Sequence, residues 1–148
     1  MTTTMKEYTF TYVIYIDTTA EALWEALTSP EFTRLYWSGR SIQSDWNVGS
    51  RVVHLREDGE FDWHGEVLQI DRPKQLSYSF KGPENDDPES CVTFELDPYG
   101  SVIRLTLTHG NLVDREEYDG IRHGWSAILS SLKSLLERGE ALTYPWKG

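Results

Sequence analysis

The residues of this sequence best suited to moving protons near neutral pH are four histidines, since imidazole alone titrates there without help. Strand alternation puts His64 on one face with Asp62 and Glu66, a trio that could orient an imidazole or hold zinc. The same alternation sets the trio opposite Trp63 and Val67, and a charged face opposite an apolar one is the solvent side of a sheet. His54 falls on the neighbouring strand. His123 is two residues from both Ile121 and Trp125, about 200° around a helix, so it is expected to face water. His109 ends a strand on the same face as Leu105 and Leu107, where a buried imidazole held by a backbone partner is the default reading.

No other chemistry stands out. Cys91 opens a strand without a sequence-local base and, being the only cysteine, cannot form an internal disulfide. The serines between Ser126 and Ser134 fall on polar and flanking positions of a helix, and no phosphate-binding loop, dinucleotide glycine pattern or His-Glu-x-x-His is present. We therefore assign no catalytic residue, no metal ligand and no cofactor. Lys and Arg number 14 against 24 Asp and Glu, a formal charge of −10, which repels phosphate backbones and anionic lipid heads. Nucleic acid and membrane surfaces are thus not expected partners, and no run approaches the roughly 20 apolar residues of a membrane-spanning helix. With neither a basic, apolar signal segment at Met1 to Phe10 nor paired cysteines, a cytoplasmic location is expected.

The elements that must position any site follow from periodicity. Tyr8 to Asp17 is rich in β-branched and aromatic residues and reads as a first strand. Thr18, three before Glu21, has the form of a capping box, and Leu23, Trp24 and Leu27 supply a helical stripe ending near Thr28. Ser29 and Pro30 start a second short helix reaching Tyr36. Six strands then alternate with turn residues: Ser41 to Asp45, Arg51 to Glu57, Glu60 to Asp71, Gln75 to Lys81, Cys91 to Asp97 and Ser101 to His109. Gly82 to Glu89 is acidic and turn-forming and is expected to be a mobile, solvated loop. Finally Ile121, Trp125, Ile128, Leu129, Leu132, Leu135 and Leu136 form one apolar face of a helix running from an Asp114 cap to a Gly139 stop. At about 1.5 Å per residue such a helix is long enough to cross a whole small sheet. The expected fold class is α+β: a curved antiparallel sheet of about seven strands, two short helices after the first strand and a long C-terminal helix over the sheet. One domain is expected across residues 1–148, with its core over about 7–139 and a short tail at 140–148.

This order of elements resembles the START-like (SRPBCC) superfamily, whose helix-grip fold is shared with the birch pollen allergen. The run from Ile16-Asp17-Thr18-Thr19-Ala20 through Leu23-Trp24-Glu25-Ala26-Leu27 is similar to the opening motif of a branch that includes the C-terminal domain of the heat-shock protein 90 ATPase activator. Gly65-Glu66-Val67 through Arg72-Pro73-Lys74 resembles that branch's central hairpin, Leu105-Thr106-Leu107-Thr108-His109-Gly110 its last strand, and Gly124-Trp125 opens a helix of its usual kind. Because the first strand begins at Tyr8, the separate N-terminal domain of the eukaryotic co-chaperone is not expected here.

The resemblance implies a cavity between the concave sheet and the helix, used across the superfamily for lipids, sterols, polyketides and other apolar molecules. Trp125, Leu129 and Leu132 on the helix face Trp63 with Val67, Tyr78 with Phe80, and Leu105 with Leu107 on the strands, and His109 shares their face. Each alone is ordinarily core; as a set, such bulky rings on a curved sheet are hard to pack without leaving volume. Trp37 and Trp46 flank the turn after the second helix, where helix-grip folds form a lip of the cavity. Gly124 inside the helix suggests close approach of another element, space beside Trp125, or a merely tolerated glycine. The expected function is binding of a small apolar or aromatic molecule, with Tyr78, His109 and the indoles of Trp63 and Trp125 as its polar contacts. A polyketide cyclase or aromatase on the same scaffold and a co-chaperone-like interaction module are the alternatives.

Overall fold

The computed structural model describes residues 8–84 and 89–144. Strand β1 (Tyr8–Ile16) leads into helices α1 (Ala20–Thr28) and α2 (Pro30–Tyr36). Strands β2 (Ser41–Gln43), β3 (Arg51–Leu55), β4 (Phe61–Asp71), β5 (Gln75–Lys81), β6 (Glu89–Tyr99) and β7 (Val102–Leu112) follow, and helix α3 (Arg115–Arg138) closes the order. The strands form one antiparallel sheet in the order β1-β7-β6-β5-β4-β3-β2. A meander from β2 to β7 thus ends by pairing with β1, and α3 packs across it. This is the α+β helix-grip architecture expected from the sequence.

Local chemistry accounts for the helix ends. Thr19, not Thr18, caps α1: its backbone is extended and its hydroxyl accepts from the Ala22 amide at 3.1 Å, which moves the cap one residue along. Ser29 precedes Pro30 at the first turn of α2, but its hydroxyl donates to Glu31 instead of accepting from the helix. Asp114 caps α3 by accepting from the Glu117 amide at 2.8 Å, and Gly139 ends it in the left-handed region at φ 79°. Beyond that stop, Ser134 Oγ donates to the Glu140 carbonyl and Ser131 Oγ accepts from the Leu142 amide, so the start of the expected tail is strapped to the helix. Its last four residues, 145–148, and residues 85–88 of the expected acidic loop lie outside the described residues. Glu89, assigned to that loop, instead pairs with Lys81 as the first residue of β6.

Register decides what faces the helix. In β7, Ile103, Leu105, Leu107 and His109 are buried and alternate with more exposed neighbours. Leu107 pairs with Tyr12 on one side and Phe94 on the other. These residues join Leu76, Leu96, Leu129 and Leu132 in the main core, which Leu23 and Leu27 of α1 close at one end. Helix α2 docks through buried groups: Tyr36 donates its hydroxyl to the Ala26 carbonyl at 2.7 Å, and Thr33 Oγ1 accepts from the Ile42 amide at 3.1 Å.

The β3–β4 pairing shifts register between Val53 and Leu55: β3 keeps its alternation, with Val52 and His54 buried, while β4 carries an extra residue at Asp62–Trp63 and leaves strict alternation there. Asp62 is therefore buried, a correction to the expectation that it shares a solvent face with His64 and Glu66. Among the described residues, no helix is long and apolar enough to cross a membrane.

Candidate functional site

Between the first half of α3 and the β3–β5 part of the sheet lies a cavity of about 410 Å³. Trp37, Trp63, Phe80 and Trp125 give it aromatic walls, and Ile121 and Ile128 extend the apolar surface along the helix. Trp63 and Phe80 have ring centroids 4.6 Å apart, and Trp37 meets Trp125 edge to face at 5.1 Å. Gly120 and Gly124 sit one helical turn apart on this side of α3, and a Cβ built on either would meet nothing within 4 Å. The volume beside Trp125 is there because the helix presents no side chain at these two positions.

A tight turn sets the polar side of the cavity. Ser38 and Gly39 both lie in the left-handed region, at φ 53° and 75°, and the Arg40 amide donates back to the Trp37 carbonyl at 2.9 Å. The turn delivers Trp37, Ser38 and Arg40 to the cavity together. Arg40 donates through Nε to the buried Asp62 carboxylate, whose other oxygen lies 3.5 Å from Arg56 Nη2. Glu117 borders the cavity from the helix side; burial raises its carboxyl above the ordinary value, against a hydrogen bond from the Val113 amide.

Two buried histidines occupy this region in opposite states. His109 is fully bonded: the Trp125 indole N–H donates to Nδ1 at 2.9 Å, and Nε2 lies 2.6 Å from Ser90 Oγ. Ser90 in turn donates to the Phe80 carbonyl at 3.1 Å. Because Nδ1 is an acceptor here, the network assigns the Nε2–H tautomer of a neutral ring. Burial agrees, lowering the pKa of His109 to about 4. With both nitrogens occupied, His109 is a locked strut behind Trp125, held by side chains where the sequence suggested a backbone partner. His54 lines the cavity, edge to face with Trp37 and Phe80, and its buried Nδ1 has no hydrogen-bond partner. Burial first, and then the charge of Arg40, lower its pKa to about 3.

The twelve residues singled out in the sequence divide in two. Trp37, Trp63, Phe80 and Trp125 come together around the cavity. Val67, Leu105, Leu107, Leu129 and Leu132 are placed in the closed core beyond it, and Tyr78 is buried there against Phe94. His109 stands behind the wall, and Trp46 is tied to α1 by an indole hydrogen bond to the Thr28 carbonyl at 2.9 Å, away from the cavity. Sequence reasoning missed Arg40, His54 and Glu117. Arg40 follows a Ser-Gly turn signal but sits in no periodic element, whereas His54 alternates with Val52 on the inward face of β3, a signal that was there to be read. His64 follows Trp63 on β4 but does not line the cavity; its ring is tilted against Phe61, and among the described residues no group of three metal-ligating side chains is found.

A seven-stranded antiparallel sheet gripping one long helix, with a cavity between them, defines a helix-grip protein. More narrowly, residues 17–137 match the family described as Activator of Hsp90 ATPase homolog 1-like protein, and the chain belongs to that family. Among solved structures it is similar to a Mesorhizobium loti protein at 28% identity, covering 88% of this chain and 99% of that one with a TM-score of 0.74. It also resembles the Aha1 dimer from Colwellia psychrerythraea at 22% identity, 90% and 99% coverage and a TM-score of 0.76. An HSP90 activator from Plasmodium falciparum aligns at 21% identity over 86% and 95% of the two chains, with a TM-score of 0.73. The latter two likenesses are of fold. No curated protein matches the sequence.

Proposed function

We propose that this protein binds a small apolar or aromatic molecule in the cavity between the first half of α3 and the sheet. The observation that carries this reading is a volume of about 410 Å³ walled by four aromatic side chains and bordered by two glycines with no packed neighbour. Small-molecule sites occupy roughly 300–1,000 Å³, and burial of apolar ligand surface supplies about 25 cal/mol per Å² before ordering costs. Enzymatic turnover on the same scaffold would have to rely on a residue other than His109, whose nitrogens are both committed. Nucleic acid remains an unfavourable partner at a formal charge of −10.

Native mass spectrometry of the freshly purified protein tests the reading. We expect a reproducible extra mass of small-molecule size under gentle conditions, lost on denaturation and absent from a folded Gly124→Leu variant whose new side chain fills the cavity. A protein that is empty, and that takes up no apolar molecule from a panel in either form, would refute it.

Family membership favours one second reading, a co-chaperone-like interaction module. It predicts binding to a basic partner patch that weakens as salt screens the acidic chain. Association with a chaperone that persists at high salt would count against this electrostatic form of the reading.

A further inference from the structure

We propose that the ligand of this cavity is an aromatic acid, its anionic oxygen group received by Arg40 and His54 while its ring lies among Trp37, Trp63, Phe80 and Trp125. The inference rests on the small-molecule reading above and deepens it. Three observations carry it. First, Arg40 borders the cavity with only its Nε committed: that atom serves Asp62, and neither terminal nitrogen has a partner within the described chain. Second, Asp62 is shared by Arg40 and Arg56, so the one buried carboxylate that Arg40 touches is not committed to Arg40 alone. Third, the His54 ring lines the same cavity, is 1% exposed, and holds a buried Nδ1 with no hydrogen-bond partner.

These groups ask for one kind of chemistry. Guanidinium nitrogens only donate, and a neutral imidazole carrying its proton on Nδ1 donates there too. A carboxylate offers two oxygens, with enough lone pairs for a forked guanidinium and for an imidazole that turns its N–H toward the ligand. An unsatisfied buried polar nitrogen is costly, so a ligand oxygen that satisfies it gains affinity that a plain hydrocarbon cannot. Planar rings suit the remaining volume because the walls are themselves aromatic faces and edges. Glu117, the carboxylate that borders the cavity, lies on the helix side and accepts from the Val113 amide. An anionic group therefore belongs at the sheet side, next to the turn that carries Arg40.

Calorimetric titration of the full chain at pH 7 with 2-naphthoic acid, 2-naphthamide and 2-naphthylmethylamine separates charge from ring. We expect the acid to bind at least tenfold more tightly than the amide and the amine to bind more weakly than either. Arg40→Gln should remove at least tenfold from the acid and less than twofold from the amide. His54→Phe, which keeps an aromatic ring among aromatic neighbours, should weaken the acid several-fold and the amide, whose carbonyl oxygen can accept from the same imidazole, by no more than the acid. If Arg40→Gln fails to fold because Asp62 loses a partner, the wild-type comparison and His54→Phe decide the matter. Equal binding of acid and amide, a preference for the amine, or an acid preference that survives Arg40→Gln would overturn the inference and leave the small-molecule reading standing. Failure of all three compounds to bind would overturn both.

Discussion

The two halves of α3 meet the sheet in different ways. Toward its C-terminus, Leu129 and Leu132 are fully buried in one apolar cluster with Leu105, Leu107 and Phe94, and no open volume is left between them. Toward its N-terminus, Gly120 and Gly124 face open volume, and Trp125 marks the boundary, packed on Phe94 and His109 of the sheet and edge to face with Trp37 across the cavity wall. The same helix is thus a lid at one end and a clamp at the other. The histidines repeat the contrast: His109, at the junction, has every nitrogen bonded, whereas His54, in the open half, has a buried nitrogen without a partner. A core evolved only for stability would close both halves alike, since each void forfeits dispersion contacts and each orphaned polar atom costs desolvation. The asymmetry places the candidate site where stability has been forgone.

The contrast can be tested by mutation, beginning with its strongest consequence. Leu132→Ala in the closed half should cost about 2–5 kcal/mol, measured by urea unfolding, because a fully buried leucine leaves a cavity its neighbours only partly fill. A cost below about 1 kcal/mol would mean that the closed half is loosely packed too.

Next comes pH. The pKa values of His54 and His109 are lowered in the fold to about 3 and about 4, against an ordinary value near 6.5 in the unfolded chain. Between these limits the unfolded state binds more protons, so stability is greatest above pH ~6.5 and falls as pH drops toward 4. Each histidine should contribute a slope approaching ~1.4 kcal/mol per pH unit in that window. His54→Phe should roughly halve the fall measured between pH 6.5 and 5. An unchanged slope would show that His54 is not held neutral by its surroundings.

The smallest effect is expected at Gly124. With nothing within 4 Å of an added Cβ, Gly124→Ala should raise stability by up to ~1 kcal/mol through helix propensity alone. Thermal unfolding that shows a loss instead would mean that this half of α3 is packed like the other, erasing the contrast.

Much of the fold could be read in advance because its signals are periodic. The long stripe from Ile121 to Leu136 sits on one helix, and its ends carry the expected Asp114 cap and Gly139 stop. Six strand assignments survive as β2 to β7, β5 with the expected ends and the others with shifted ones; β7, for example, runs on from His109 to Leu112. The one-residue move of the α1 cap from Thr18 to Thr19 lies within what two adjacent threonines leave open, since either hydroxyl is chemically suited to the task.

The site was less legible, and its residues show why. Trp63, Phe80 and Trp125 follow from alternation and helical period, because such patterns report which face a side chain occupies. Alternation does not report whether that face meets another side chain or empty space, so Leu105, Leu107, Leu129 and Leu132 carry the same signal as the cavity wall while lying in the core. Arg40 comes to the cavity through a left-handed turn, a local departure from periodicity, whereas His54 keeps the alternation of β3 and carries the same inward signal as Val52, which lies in the core. The sequence by itself determined the α+β order of elements, the inward faces of helix and strands and the acidic exterior, because these depend on spacing and charge along the chain. Only the tertiary structure decided that the two halves of α3 differ and that Arg40, Asp62 and His54 meet beside four aromatic rings, because volume and pairing depend on distances between segments far apart in sequence.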